Sequence, residues 1–195
     1  MGVYKLSAAG SVLTNRAEYK SMNAGNMYGA MVPIASAANG SANFANIPQT
    51  YQDLYVVSQL RGVNANTVEY FFSYFNSNTA AIYSYTSLSG DGSSAGSSRT
   101  NIGNTSFFIG TGPGGNSTTG VFASLEMWIL NYANTTTNKT ILYRFSADQN
   151  GSGETRYGAG LFSSTVAVKE LNVFGGNGTG TGTTHNLYGI RAVSS

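Results

Sequence analysis

The chain has 195 residues, of which 41% are hydrophobic and 12% aromatic, with 25 Gly, 13 Tyr and no Cys. That length and apolar content suffice for one packed domain without metals or disulfides, and the missing cysteines exclude a disulfide framework and a thiolate metal site. Charged residues make up 9% of the chain, against roughly 25% in ordinary soluble proteins; ten Lys/Arg and eight Asp/Glu, scattered along the length, form no basic stripe for nucleic acid.

From the N-terminus, Met1 to Ser7 lack the apolar core of a signal peptide, and Leu6 stands where a myristoylation signal needs Ser or Thr. No export signal or lipid anchor is expected. Residues 15–46 hold Met22, Met27, Tyr28 and Met31 among Ala, Gly and Asn, and read as a less regular arm with a short helix over 17–22. A proline-locked turn, Asn46-Ile47-Pro48-Gln49-Thr50-Tyr51, then feeds a strand that runs to Gly62. Residues 67–75 and 80–88 are dense in β-branched and aromatic side chains and read as strands, joined by the turn Asn76-Ser77-Asn78. Gly- and Ser-rich 89–100 reads as a long flexible loop, and a strand resumes over 105–110.

Residues 120–132 show the cleanest alternation. Val121, Ala123, Leu125, Met127 and Ile129 fall on one face, and Phe122, Ser124, Glu126, Trp128 and Leu130 on the other. The first face is expected to be core. Residues 138–148 repeat the pattern, with Ile141, Tyr143, Phe145 and Ala147 inward and Leu142 and Arg144 outward. A polar loop over 149–153 leads to a strand at 154–162, and 166–174 and 185–193 supply the last two. No window carries a sustained helical repeat with caps. The run 121–130 is too short to cross a bilayer as a helix and contains Glu126, so no membrane partner is expected. The fold class is all-β: a single antiparallel β-sandwich domain over 1–195, read as a jelly roll, with the irregular arm at 15–46.

Candidate chemistry is sparse. Gly110-Thr-Gly-Pro-Gly-Gly115 fits G-x-G-x-x-G, but Asn116 to Gly120 cannot supply the helix whose N-terminus would face a pyrophosphate; a surface loop is expected. Residues 148–154 resemble the first half of a calcium loop, yet the twelfth position is Ala159 where a bidentate Glu is needed, so a hairpin tip is the reading. His185 is the only histidine, with no nucleophile-elbow sequence to serve, and strand-end packing or a solvent-facing position is expected. Carboxylate pairs drawn from Glu126, Asp148 and Glu154 could in principle serve a glycosidase, but no catalytic, cofactor or metal residue is assigned. Tyr55, Tyr70, Tyr74, Tyr83, Tyr85 and Trp128 are the candidates for a protein interface or for stacking on sugar rings.

Four blocks in order carry a resemblance. Ile47-Pro-Gln-Thr-Tyr-Gln-Asp-Leu54, the turn Asn131-Tyr-Ala-Asn-Thr-Thr-Thr-Asn-Lys139, Gly158-Ala-Gly-Leu-Phe-Ser-Ser-Thr165 and the closing Leu187-Tyr-Gly-Ile-Arg191 resemble a module that recurs in structural proteins of tailed bacteriophages, notably cyanophages and other aquatic phages. Phe162 replaces an aromatic that is often Trp there. The resemblance covers roughly 45–191 and implies a virion protein. A non-enzymatic capsid decoration, or cement, protein on the outer capsid surface is expected. Its partners would be the major capsid protein, docked through the Met-bearing arm, and copies of itself, a trimer being the first expectation. The alternative is a tail-fibre or receptor-binding module that recognises host surface glycans. The chain enters the module without a coiled-coil or repeat shaft, which favours decoration.

Overall fold

A computed structural model describes residues 31–191. Among them the chain forms twelve strands and no helix. In order these are β1 (Met31–Ala38), β2 (Ala42–Phe44), β3 (Asp53–Leu60), β4 (Val68–Phe75), β5 (Tyr83–Gly90) and β6 (Ala95–Asn104). β7 (Phe107–Pro113), β8 (Ala123–Leu130), β9 (Lys139–Asp148), β10 (Gly153–Phe162), β11 (Leu171–Gly175) and β12 (Thr184–Ile190) come after them. They build an antiparallel β-sandwich of two sheets, one of eight strands in the order β1-β12-β3-β8-β9-β10-β5-β6 and one of four, β2-β11-β4-β7.

Strict alternation decides which side chains enter the core. Leu54, Val56 and Leu60 of β3, Leu125, Met127 and Ile129 of β8, and Ile141, Tyr143 and Phe145 of β9 are buried, and the in-register pairs Met127 with Tyr143 and Ile129 with Ile141 keep them on one face. The four-stranded sheet answers with Phe71, Phe75, Phe107, Ile109, Leu171 and Val173. The proline-locked turn plugs one end: Ile47 is buried, its N–H donates to Lys169 O at 3.0 Å, and Gln49 Nε2 donates to the carbonyls of Ile47 and Val168. Tyr132 closes the same end, its hydroxyl donating to Pro48 O.

Three expectations are corrected. Residues 31–44, read as part of an irregular arm, are two strands. β1 pairs with β12 and β2 with β11; β1 has no buried face and rests on that pairing, whereas β2 also turns Ala42 and Phe44 into the core. Met22, Met27, Tyr28 and the helix over 17–22 lie outside the described residues. The stretch 89–100 is no flexible loop: β5 and β6 pair from Tyr83 with Asn104 to Gly90 with Ala95. Asp91 makes their turn, its Oδ1 accepting from the amides of Ser93 and Ser94 at 2.8 and 2.7 Å; these bonds hold its carboxyl well below the usual carboxylate range. The strand expected over 166–174 is shorter, Leu171–Gly175, because 163–170 runs as a connection across the plugged end.

A β-bulge sets the fit between the sheets. Phe72 pairs with Phe108 and Phe71 with Gly110, which leaves Ile109 as the extra residue. At Gly110 a Cβ would lie 2.3 Å from the Phe145 ring, a contact the packed core cannot absorb. Gly110→Ala is expected to destabilise the fold by about 1–3 kcal/mol, read as a lower urea midpoint with an unchanged slope; an unchanged midpoint would show that the rings reseat freely.

Candidate functional site

On the outward side of the eight-stranded sheet one cross-strand row is apolar, next to rows that carry Glu126, Arg144 and Thr140. Tyr188 of β12 sits opposite Tyr55 of β3, Tyr55 opposite Trp128 of β8, Trp128 opposite Leu142 of β9, and Leu142 opposite Ala159 of β10. The rings of Tyr55 and Trp128 lie 4.5 Å apart, centroid to centroid, and those of Tyr55 and Tyr188 6.3 Å. One register row away, Glu126 faces Arg144 and Arg144 faces Tyr157, and the Glu126 carboxylate pairs with the Arg144 guanidinium. Between Trp128 and Tyr157 lies an open hollow of about 360 Å³, lined also by Leu130, Leu142, Glu126 and Arg144. Burial first, then the nearby Glu126 carboxylate, push the Tyr55 hydroxyl above its ordinary pKa.

The six aromatics singled out from the sequence are divided among four places. Tyr55 and Trp128 belong to this face. Tyr70 and Tyr74 lie on the outer face of the four-stranded sheet, where Phe72, Phe108 and Phe174 join them: Tyr70 and Phe108 are 5.9 Å apart, Phe72 and Phe174 5.7 Å, Tyr74 and Phe174 5.3 Å. Tyr85 stands at the junction of the sheets, 6.1 Å from Phe108. Tyr83 is no contact residue. It is fully buried, its hydroxyl donates to Asn78 O at 2.7 Å, and burial pushes its pKa up to about 12. Leu142, Tyr157 and Tyr188 on one face, and Phe72, Phe108 and Phe174 on the other, were not singled out. Period two places them outward, but only strand register shows whom they neighbour.

Of the carboxylates weighed for chemistry, Glu154 and Asp148 make contacts within the fold, and Glu126 pairs with the exposed Arg144. Glu154 Oε2 accepts the Thr111 N–H at 2.7 Å and Oε1 pairs with the buried Arg156. Arg156 also reaches Ser87 Oγ at 2.6 Å and lies 4.7 Å over the Phe108 ring, so the pair ties both sheets together at one edge. Asp148 caps its own hairpin turn through the Asn150 N–H. Among the described residues no three His, Asp or Glu side chains gather to hold a metal. The glycine-rich run expected as a surface loop is strand over its first half, where Gly110 to Pro113 belong to β7 and pair with β4; beyond it Gly114, Gly115 and Asn116 N–H donate to the carbonyls of Thr67, Asn64 and Asn66. Arg61 holds the following segment, its guanidinium donating to the carbonyls of Gly115, Ser117, Thr118 and Val121 at 2.7–3.2 Å.

His185 is neither at a surface nor at a reactive centre. It is fully buried, with Nδ1 2.9 Å from Ser58 Oγ and Nε2 3.0 Å from Gly40 O. A carbonyl only accepts, so Nε2 carries the proton and Nδ1 accepts from the Ser58 hydroxyl. Ser58 is itself buried and offers no exposed nucleophile. Burial pushes the imidazole below its ordinary value of 6.5, so the folded state favours the neutral ring while the unfolded chain takes up a proton near that pH. The stability contributed is full above about pH 7.5 and falls as pH drops through 6.5, by at most about 1.4 kcal/mol per pH unit. Urea unfolding between pH 7.5 and 5.5 is expected to show that loss. Because the chain has one histidine, the dependence should vanish in His185→Gln; a flat profile in the wild type would contradict the buried neutral ring.

Compared with protein-family models, with curated proteins and with solved structures, the chain matches none, and nothing among these comparisons links it to phage virion proteins.

Proposed function

We propose that the protein is a non-enzymatic structural protein of a phage virion, a decoration protein that binds the lattice of the major capsid protein on the outer capsid surface and associates with copies of itself. One observation carries the reading: the two sheets expose aromatic surfaces on opposite sides of the sandwich. Tyr70 is 55% exposed on one face and Tyr157 54% on the other. Large apolar patches of this kind mark surfaces that neighbours cover, and a protein set within a repeating lattice has neighbours on more than one side. The sparse surface charge suits many modest, apolar contacts.

The four sequence blocks that resemble the phage module add support. The turn at Ile47 is the end plug, and the segment from Gly158 is the strand that joins β5 to the β8–β9 hairpin. The pairings β2 with β11, β3 with β8, β4 with β7 and β5 with β6 agree with a jelly-roll reading in which β9 and β10 are an added hairpin.

Purified protein mixed with capsids that lack it is expected to bind at regular lattice positions, visible by electron microscopy. Phe72→Ser combined with Phe174→Ser should weaken that binding about tenfold or more while the thermal midpoint of the free protein changes little. Absence of the protein from capsids, or undiminished occupancy by the variant, would count against this role for the four-stranded face.

A further inference from the structure

We propose that the hollow on the outer face of the eight-stranded sheet is a carbohydrate site, taking a neutral pyranose whose C–H face lies on Trp128 and whose adjacent hydroxyls bridge Glu126 and Arg144. The inference goes beyond the lattice role and does not depend on it.

Shape comes first. Leu142 lies between two aromatic side chains that line the hollow, Trp128 on the neighbouring strand on one side and Tyr157, diagonally placed, on the other. The hollow, about 360 Å³, falls in the ~300–1,000 Å³ range of small-ligand pockets. One flank of Trp128 is covered by the Tyr55 ring, and its other flank looks across Leu142.

Chemistry narrows the ligand. Glu126 and Arg144 neutralise each other, so the hollow has no net charge with which to select an anion or a cation. Side by side they offer acceptors and donors, the combination that a pair of neighbouring hydroxyls satisfies. The Arg144 side chain is 68% exposed and that of Glu126 36%, and an exposed pair contributes little to folding; the other ion pair among the described residues, Glu154 with Arg156, is buried and structural. An aromatic wall, an aliphatic floor and a neutral polar rim match a pyranose, with one apolar face and a hydroxyl-bearing edge, better than they match a purely apolar partner surface.

The chain has a single tryptophan, so intrinsic Trp emission reports from this hollow. The full chain is titrated with methyl β-glucoside, methyl β-galactoside and chitotriose. A saturable change in emission is expected with at least one of them, with a Kd on the order of 1 mM, as a shallow open site allows. Tyr157→Ala, and the double variant Glu126→Ala with Arg144→Ala, should each weaken the response about tenfold or more, while Phe72→Ala on the opposite face leaves it unchanged; circular dichroism confirms that each variant is folded. No saturable response to any of the three sugars, checked by saturation-transfer NMR, would overturn the proposal. So would a response that survives in both hollow variants, or a hollow variant that alters self-association in sedimentation with no sugar response in the wild type, which would assign the face to a second copy of the chain. Capsid occupancy is read separately, so failure here leaves the lattice role to its own test.

Discussion

A sheet of eight strands has to be covered by a sheet of four, and most of the structure depends on that mismatch in width. The narrow sheet reaches across with large rings. Phe75, Phe107, Tyr83 and Phe162 meet edge to face or tilted, with centroids 5.0–5.5 Å apart, and such pairs add about 0.5–1.5 kcal/mol each beyond the area they bury. Room comes from glycine: a Cβ on Gly160 of the facing strand would lie 2.5 Å from Phe107, and within the wide sheet one on Gly158 would lie 2.3 Å from its paired neighbour Tyr143. Where the cover ends the burial ends too. β6, at the rim of the wide sheet, has nearly every residue exposed, and its strand state rests on the ladder with β5.

The same economy governs polar groups. With few charged residues in the chain, the buried ones are placed where a sheet edge or a chain crossing needs a directional bond: Arg156 and Glu154 at the open edge, His185 between β3, β12 and the turn at Gly40, and Lys139 donating to the carbonyls of Thr137 and Thr165. Most of their polar atoms find partners, which is the condition for burying such groups; Arg156 Nε does not, and the fully buried Glu69 leaves its Oε2 without a donor. The groups left for recognition are on the outside, as aromatic rings on both sheets and one exposed ion pair.

Much of this was legible in the sequence where alternation is strict. The core faces of β8 and β9 read directly, because every second residue from Ala123 to Ile129 and from Ile141 to Ala147 is apolar and buried, although Trp128, Leu130 and Leu142 are apolar on the outward side too. β6 did not read as a strand, since Gly, Ser, Thr and Asn carry no apolar phase and only pairing with β5 reveals it. β1 failed similarly: Pro33, Ala35 and Ser36 blur the pattern, and its partner β12 lies at the far end of the chain. The candidate site was half visible. Trp128, Glu126, Leu142 and Arg144 were assigned outward, yet that Trp128 faces Leu142 and Arg144 faces Tyr157 is a property of register across three strands, which no single segment encodes. Tyr83 was misplaced because a tyrosine in a strand satisfies the same pattern whether its hydroxyl meets water or, as here, the carbonyl of Asn78.

Arg61 is a charge anchored by dipoles alone. Its four acceptors are neutral backbone carbonyls in a loop with no regular structure, and both ion pairs among the described residues belong to other arginines. Added electrolyte, which dissolves an exposed ion pair by screening it, has little to screen in bonds between a guanidinium and amide dipoles. Salt is therefore expected to weaken this anchor less than it weakens the exposed Glu126–Arg144 pair, and the anchor depends on the planar fork of arginine in a way that lysine, a point charge with three donors, does not reproduce.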